Sequence, residues 1–418
     1  MIIAWYTFFL LVLSRASLGS LLEMSRFGEG LTLGAGLNVV ALLLAAAAIF
    51  KRHRPPLLVP ALIWLPYLTI VCCSLTYTPD VVSGARLFLS TLTFPAMFIS
   101  AFVLLRSDFD TIAFFKCVVY SSIVPVLYGI IQLVTNAPGF RVNATFSHAN
   151  IFAFYIVAVL IAILYHNILA ARVTSPAWRY FSRIYFVVLC GMLLATQTRS
   201  AWIEAAFIFV AYAVSVNRKF LLALPLVPLL MFLPIVADRS NDWNTGHEVS
   251  AADVSRGEVV LGSYAWRQML WRYALIDSQD SRLLGKGVNA FQYYSPHFFP
   301  LAGVGGIDAH SAYIQALYEL GIPGLATYIT IYLGLMLAVW RLRRADRRLT
   351  NLIIVFIIGN FTINYSDNLP YYLDYNWYCW MIFGADLSWR WRRLLGGERV
   401  RSAAQSAPAH QGAPIEFA

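Results

Sequence analysis

The chain has 418 residues, of which 59% are hydrophobic and only 12% are charged. A water-soluble protein of this size needs many more polar residues on its surface, so the composition excludes a soluble globular protein. The net charge of +10 does not indicate nucleic-acid binding, because the basic residues lie in short segments between apolar runs, where they determine membrane topology.

Apolar segments follow one another along the chain, and several come near the roughly 20 residues that cross a bilayer. The first has no basic residues ahead of it, so we interpret it as a membrane helix and not as a signal peptide. We predict an all-α, polytopic bundle of about 12 transmembrane helices. The predicted spans are residues 1–14, 31–50, 57–76, 83–105, 112–134, 148–165, 184–198, 201–216, 220–236, 310–339, 350–366 and 375–389.

The basic residues indicate which side of the membrane each loop faces. Lys and Arg collect in the short cytoplasmic loops of membrane proteins. With the amino terminus inside, the inside loops and the carboxyl-terminal tail hold 19 of the 31 Lys and Arg residues. We therefore predict that both termini lie in the cytoplasm.

One predicted loop, residues 237–309, is far longer than the others and faces outside. Within it, "LGSYAWRQMLWRYALI" (Leu261–Ile276) has helical spacing. Its apolar stripe suits a helix that lies on the membrane surface or caps the bundle. The stripe consists of Leu261, Ala265, Trp266, Met269, Leu270, Tyr273 and Ile276. A long outer loop with such a helix is more often a lid or a catalytic element than a tether.

These features divide the chain into four parts. Residues 1–236 hold the first nine predicted spans, and residues 237–309 form the outer loop with candidate catalytic elements. Residues 310–395 hold the last three spans. Residues 396–418 have little to bury and are predicted to be a disordered cytoplasmic tail.

Two arginines on the predicted outer side are candidates for binding anionic groups. Arg199 in "ATQTRSAW" lies at the junction of two spans, where an unpaired charge is costly. The alternatives for it are an interfacial anchor or a partner for Glu204. Arg267 shares a face of the loop helix with Trp271, and its fork of donors suits phosphate oxygens. The alternative for Arg267 is a solvent-exposed helix face.

A histidine stands at the entrance to the tenth predicted span, in "GGIDAHSAYIQALYELGIPGL". Asp308 is a candidate cap for that helix, and Tyr313 lies one turn further along. The positive end of the helix dipole would lower the pKa of His310, and a neutral imidazole can accept a proton as a general base. The alternative is an interfacial histidine whose hydrogen bonds are satisfied by its surroundings.

The segment "RVNATFSHAN" places Arg141, His148 and Asn150 just before the sixth predicted span, also outside. His148 is a candidate to cap or orient that helix. The outer histidines and the cysteines show no zinc-ligand spacing, so we predict no metal site. "LLGKGVNAF" lacks the GxxxxGK[ST] pattern, so its glycine pair is interpreted as a turn and not as a nucleotide-binding loop. We predict no cofactor.

The order of these motifs resembles the bacterial O-antigen ligase and polysaccharide polymerase superfamily. The motifs are Phe-Ser-His-Ala-Asn before a span, Thr-Arg-Ser at a helix junction, a long outer loop with Arg-x-x-x-Trp and "GKGVNAF", and "AHSAYIQALYELGIPGL". They cover residues 141–325, and the predicted number of spans also fits the family. Family members often have Pro between the His and Asn of the first motif, where this chain has Ala149.

The resemblance implies a metal-independent, inverting glycosyltransferase of the bacterial inner membrane, with its active site facing the periplasm. The implied donor is an oligo- or polysaccharide on undecaprenyl diphosphate. The implied acceptor is a sugar hydroxyl on lipid A–core, for a ligase, or on another lipid-linked glycan, for a polymerase. The implied partners are these substrates and membrane lipids, and not nucleic acid.

Arg199, Arg267 and His310 match the functional arginines and histidine of that family. Two arginines can stabilise the charge on a departing diphosphate without a metal, and a histidine can take the proton of the acceptor hydroxyl. The residues predicted to bind substrate are Arg141, His148, Asn150, Trp271, Asp308 and Tyr313.

A transporter or flippase of lipid-linked oligosaccharide is the alternative function, because outer arginines and polar cavities would serve it too. Alternating access requires a site near the bilayer midplane, whereas these residues gather on one predicted face. A purely structural membrane protein would leave the clustered outer motifs unexplained. The motifs do not separate ligase from polymerase, since both would use the same donor and the same chemistry.

Overall fold

The computed structural model describes residues 2–24, 26–27, 31–50, 58–137, 139–171, 173–219 and 262–406. The predicted ninth span and the part of the predicted outer loop before residue 262 lie outside the described residues. The described chain is helical apart from turns and one short antiparallel pair, β1 (Arg26–Phe27) and β2 (Leu31–Thr32). The predicted helical fold class is confirmed.

The α-helices follow the predicted spans closely. In chain order they are α1 (Ile2–Met24), α2 (Leu33–Phe50), α3 (Leu58–Ser74), α4 (Val81–Leu104), α5 (Asp108–Ser121), α6 (Ile123–Thr135), α7 (Ala149–Leu169), α8 (Pro176–Ala195), α9 (Arg199–Ser215), α10 (Ser263–Asp277), α11 (Ala290–Phe298), α12 (Ala312–Arg341), α13 (Arg347–Ile363) and α14 (Leu373–Ser406). In the described ranges, 7 helical segments are long and apolar enough to cross a membrane. The larger span count stays a prediction.

The predicted span at residues 112–134 is interrupted at Ser122, between α5 and α6. Pro125 has no backbone N–H to donate to the carbonyl of Ser121, so the helical bonding pattern breaks there. The Ser122 hydroxyl occupies the break and lies 2.8 Å from the hydroxyl of Tyr185. The two helices together remain long enough to span a membrane.

Helix α7 lies at the centre of the bundle. Of its spanning residues, 94% are buried, against α5, α8, α9, α13 and α14. A helix that is apolar on every side is stable where every side is covered, and α7 has almost no polar residue between Ile156 and Leu164. The five helices that surround α7 are therefore packed around its axis.

The direction of α7 defines two ends of the bundle. We refer to the end at Asn150 as the loop end and to the end at Tyr165 as the far end, which lie about 22 Å apart at 1.5 Å per helical residue. Helices α9, α12 and α14 begin at the loop end. The turn between α12 and α13 lies at the far end, where the Asp346 carbonyl accepts a hydrogen bond from Arg390.

The described part of the long loop, residues 262–311, covers the loop end. Here α10 and α11 pack on each other and on the first turns of α12. Their shared core consists of Leu270, Trp271, Ala274, Ala290, Phe291, Phe299, Ala309 and Tyr318. The amphipathic helix predicted in this loop therefore caps the bundle.

The predicted apolar stripe of α10 is partly wrong. Ile276 is 56% exposed, whereas Trp271 and Ala274 are buried. The buried side is rotated because α10 meets α12 on one side and the segment before His310 on the other, where Trp271 reaches the Ala309 carbonyl.

Helix α12 is broken at Gly321, whose φ of +69° lies in the left-handed region. A Cβ there would lie 2.3 Å from the carbonyl oxygen of Leu283, so glycine is required. Backbone groups that a break frees inside an apolar helix must find other partners. The N–H of Ile322 finds one in the carbonyl of Arg282, at 2.9 Å.

The "GKG" segment supplies the partners for the carbonyls on the other side of the break. The N–H of Lys286 donates to the Tyr318 carbonyl, and the N–H of Gly287 to the Glu319 carbonyl, each at 2.9 Å. Gly285 and Gly287 have φ of +73° and +99°, which confirms the predicted turn. The turn joins the loop to the broken helix.

Three helix boundaries differ clearly from the prediction. Helix α8 begins at Pro176, ahead of the predicted start at residue 184. The predicted disordered tail begins at residue 396, whereas the backbone of α14 is helical to Ser406; residues 407–418 lie outside the described residues. Helix α1 runs past the predicted end of the first span and includes Arg15. An arginine is tolerated there because it pairs with Asp374 at 2.5 Å.

Candidate active site

Three chain segments meet at the loop end around the side chain of Asn150. Arg141 Nη2 donates to Asn150 Oδ1 at 2.8 Å, and Arg141 Nε donates to the Thr196 carbonyl at 3.1 Å. The Thr198 hydroxyl donates to the same Asn150 oxygen at 3.2 Å. Arg141 and Asn150 thus hold the start of α7 against the α8–α9 turn that carries Arg199. Substrate contact by either of them stays a prediction.

Asp367, between α13 and α14, is a buried carboxylate beneath this junction. Its Oδ1 accepts hydrogen bonds from Asn150 Nδ2 at 2.9 Å and from the Tyr372 hydroxyl at 3.0 Å, and its Oδ2 accepts one from the Ser200 hydroxyl at 3.3 Å. Burial raises the pKa of Asp367, while the charge of Arg267 and the three hydrogen bonds act to lower it. The carboxylate is therefore held by neutral donors, with a guanidinium nearby.

Arg267 extends from α10 toward this carboxylate. Its charge lowers the pKa of Asp367, His148 and His310, and its neighbour Trp266 contacts the His310 ring. Within the residues that the structure describes, the guanidinium donates no hydrogen bond and forms no ion pair. Its donors are available for the oxygens of an anionic ligand.

His310 lies beside this arginine in an unusual backbone conformation. Its φ of +49° is in the left-handed region, which costs a residue other than glycine about 1–3 kcal/mol. Its ring meets Trp266 edge to face, with centroids 5.8 Å apart. Burial, and after it the charges of Arg267 and His148, lower the pKa of His310 to about 4. The predicted direction is confirmed, but burial and neighbouring charge are the main causes instead of the helix dipole.

Asp308 does not cap α12, and that prediction is wrong. The cap is Ser311, whose hydroxyl accepts the N–H of Ile314 at 3.4 Å. Ser311 is the last residue outside the helix, so its hydroxyl reaches the exposed N–H groups of the first turn. Asp308 is left with one buried carboxylate oxygen that has no hydrogen bond in the described part of the chain, and burial raises the pKa of Asp308 to about 6.

His148 caps α7, one of the two roles predicted for it. Its Nδ1 accepts the N–H of Asn150 at 3.1 Å. Partial burial lowers the pKa of His148, and so do the charges of Arg141 and Arg267, whereas Asp367 raises it. In a neutral imidazole only one nitrogen can accept, and here it is already used. His148 is therefore a poorer candidate base than His310.

Arg199 is the first residue of α9 and is half-buried. Its neighbours Thr198 and Ser200 direct their hydroxyls to Asn150 and Asp367, so its backbone lies at the same junction. Glu204, one turn along α9, accepts a hydrogen bond from Asn360 at 3.3 Å.

The polar atoms of Trp271 and Tyr313 are used inside the protein. Trp271 is buried, and its Nε1 donates to the Ala309 carbonyl at 2.7 Å. The Tyr313 hydroxyl donates to the carbonyl of Phe361 in α13. The structure thus gives Trp271 a contact that positions the residue before His310, and it gives Tyr313 a contact between helices. Substrate contact by either residue stays a prediction.

Asp367, the carboxylate at the centre of the junction, is not among the residues predicted from the sequence. It belongs to "NYSDNL", directly after the predicted span 350–366, in a segment that carries none of the motifs described above. A search for acidic residues at the outer ends of predicted spans would have found it. Its partners Ser200 and Tyr372 had no separate sequence signal, because hydroxyls at helix ends are common.

Within the described ranges, no group of three or more His, Cys, Asp and Glu side chains is placed to hold a metal ion. The positive charge of Arg267 beside both histidines opposes the binding of a cation. Metal independence stays a prediction.

The fold and this cluster define a class, namely a polytopic helical membrane protein with a polar site at one end of the bundle. Residues 184–329 match the family model described as O-antigen ligase. This range contains Arg199, Arg267 and His310. The predicted resemblance to the O-antigen ligase and polysaccharide polymerase superfamily is confirmed over this range. No curated protein matches the chain significantly.

Proposed function

We propose that this protein transfers an oligo- or polysaccharide from undecaprenyl diphosphate to a sugar hydroxyl on lipid A–core, at the periplasmic face of the bacterial inner membrane. The proposal makes it an O-antigen ligase. It rests on one observation above all. Inside the matched domain, a guanidinium that has no hydrogen bond or ion pair among the described residues, Arg267, lies beside the neutral imidazole of His310.

In the proposed reaction, the acceptor oxygen forms a bond to the anomeric carbon while the bond from that carbon to the diphosphate oxygen breaks. The imidazole of His310 takes the proton of the acceptor hydroxyl. The negative charge that develops on the lipid diphosphate is stabilised by Arg267 and Arg199. Attack opposite the leaving group inverts the anomeric carbon, and the step needs no metal.

Donor binding would also change the pKa of the base, His310. The charge of Arg267 contributes to the low pKa of His310 in the free protein. A diphosphate bound at Arg267 brings negative charge next to the imidazole and raises the pKa of His310 toward neutrality. A general base is most effective when its pKa lies near the working pH, so the donor complex is the better catalyst.

The position of the cluster favours transfer over transport. Its residues lie on α10, which covers the loop end, at the first turns of α7, α9 and α12, and in the loops between helices. Alternating access instead places a site near the bilayer midplane. The excess of Lys and Arg at the far end supports placing that end in the cytoplasm and the loop end in the periplasm. A polymerase of O-antigen or exopolysaccharide would use the same residues with a lipid-linked acceptor.

The test uses the full chain in membrane vesicles with undecaprenyl-diphosphate-linked glycan and lipid A–core. The expected product is glycan attached to lipid A–core, seen as a ladder on a gel, with His310→Ala as the inactive control. Movement of the donor across the bilayer without any new glycosidic bond would contradict the proposal and support a transporter. A ladder that forms on lipid-linked acceptor alone would make the protein a polymerase.

A further inference from the structure

The residue before His310 is held on both of its backbone polar groups by side chains. The N–H of Ala309 donates to Gln315 Oε1 at 2.9 Å. The carbonyl of Ala309 accepts from Trp271 Nε1 at 2.7 Å. Gln315 belongs to α12 and Trp271 to α10, so two separate helices fix the same residue, and Ala309 is fully buried.

The carboxamide of Gln315 is itself held in one orientation. Its Nε2 donates to the Tyr371 hydroxyl at 3.0 Å and to the Glu319 carboxylate. Its Oε1 also accepts from Asn368 Nδ2 at 3.2 Å. The side chain is 4% exposed, and the donors and acceptors around it suit only one direction of the amide. The oxygen is therefore directed at the Ala309 N–H.

The chain after His310 is fixed as well. The N–H of Ala312 donates to the carbonyls of Asn364 at 2.9 Å and Asp367 at 3.3 Å, and Ser311 caps α12. His310 is thus a left-handed residue between two anchored neighbours. A strained conformation of this kind persists only where the surroundings impose it.

We propose that Gln315 is a positioning residue for His310. It acts through the Ala309 peptide, with Trp271 as its counterpart on the other side, and sets the direction in which the imidazole leaves the backbone. The inference rests on the proposed role of His310 as the base. The further claim is that His310 acts as a base only while Gln315 and Trp271 fix the position of Ala309. A displacement of about 1 Å at a reacting group can lower a rate roughly 10²-fold.

The first test is Gln315→Met, which keeps the length of the side chain and removes its hydrogen bonds. We expect kcat for transfer to fall roughly 10–100-fold while KM for the undecaprenyl-diphosphate-linked donor changes less than about threefold, because the arginines that bind the donor are untouched. Gln132→Met is the matched control. Gln132 Oε1 likewise accepts a backbone N–H at a left-handed turn, that of Ala144 at 2.9 Å, but no candidate base follows Ala144. Its kcat is expected to stay within about threefold of wild type.

The second test separates positioning from general damage. If Gln315 acts through His310, the double variant His310→Ala, Gln315→Met transfers no more slowly than His310→Ala alone. Trp271→Phe removes only the indole N–H and is expected to lower kcat in the same way, with KM for the donor retained.

Three results would overturn the inference while leaving the proposed function in place. One is full transfer by Gln315→Met and Trp271→Phe at normal protein level, with His310→Ala inactive. Another is a double variant slower than His310→Ala, which would show an effect independent of the imidazole. The third is failure of both single variants to accumulate in the membrane, which would make the contact a folding element. A fully active His310→Ala would instead contradict the proposed function itself.

Discussion

The two ends of the bundle each hold an arginine near a buried aspartate, but the two pairs are arranged differently. At the far end, Arg390 Nε bonds to Asp386 at 2.7 Å, and Arg390 Nη1 bonds to the Thr350 hydroxyl at 2.6 Å. Both charged side chains are 0% exposed. At the loop end, Asp367 is bonded by neutral donors, and Arg267 forms no ion pair with it.

The difference indicates that the arginine at the far end stabilises the fold, whereas the arginine at the loop end serves the proposed reaction. The buried ion pair lies within α14, and the bond from Arg390 to Thr350 holds α13 to α14. Removing one partner of the pair leaves an uncompensated charge. An arginine that no protein carboxylate neutralises keeps its donors for a ligand of opposite charge. We therefore expect substitutions at the far end to affect stability and those at the loop end to affect turnover.

The largest expected effect concerns the side of the membrane that each end faces. In a background without the five native cysteines, we expect an impermeant thiol reagent to label Gln279→Cys and not Arg344→Cys in cells with a permeabilised outer membrane. Labelling of Arg344→Cys alone would reverse the orientation and move the candidate site to the cytoplasm.

His310→Ala tests the base. Its removal should lower the rate of transfer about 10²–10⁴-fold, because proton abstraction from the acceptor is lost. Donor binding, measured by co-purification of lipid-linked glycan, should stay unchanged. His148→Ala is the comparison: it removes the cap of α7 and should reduce stability more than turnover. Equal losses of turnover in both variants would contradict the conclusion that His310 is a better candidate base than His148.

Conservative substitution of one arginine at each end tests the comparison directly. Arg267→Lys keeps the charge but loses the fork geometry, so we expect a loss of transfer of roughly 10-fold or more at normal protein level. Arg199→Lys should behave in the same way. Arg390→Lys should lower the thermal stability of the purified protein, while turnover per folded molecule stays normal. The reverse pattern would show that the unpaired arginine is only a membrane anchor.

The pH dependence should differ between free protein and donor complex. His310 must be neutral to accept a proton, and its pKa is about 4 in the free protein, so kcat/KM should fall only as the pH drops toward that value. In the complex the diphosphate raises this pKa, so the acid limb of kcat should lie at higher pH. Asp308→Asn controls for the neighbouring carboxyl, whose pKa is about 6. If the decrease in rate at acid pH disappears in Asp308→Asn, the group that titrates is Asp308 and not His310.

The smallest expected effect is that of a chelator. If arginines alone neutralise the departing diphosphate, transfer in purified membranes should be the same with and without EDTA. A loss of transfer that Mg²⁺ or Mn²⁺ restores would require a metal at the diphosphate and would contradict the arginine mechanism.

The sequence by itself determined the helical membrane class, the order of most helices and many of the residues that meet at the candidate site. Long apolar runs are local signals, since the thickness of a bilayer sets their length. The motifs that hold Arg199, Arg267 and His310 were recognisable because each is a short, contiguous pattern. The turn at Gly285 and Gly287 was predicted for the same reason, since glycine marks positive φ wherever it occurs.

Only the tertiary structure decided how those residues are held and which neighbours they have. Asp367 follows Asn150 by 217 positions, and Trp271 and Ala309 are 38 apart, so no local pattern relates either pair. The buried side of α10 and the pKa of His310 depend on what covers them from other helices. Burial and charge are properties of a place in the fold, and a chain acquires them only when distant segments pack together.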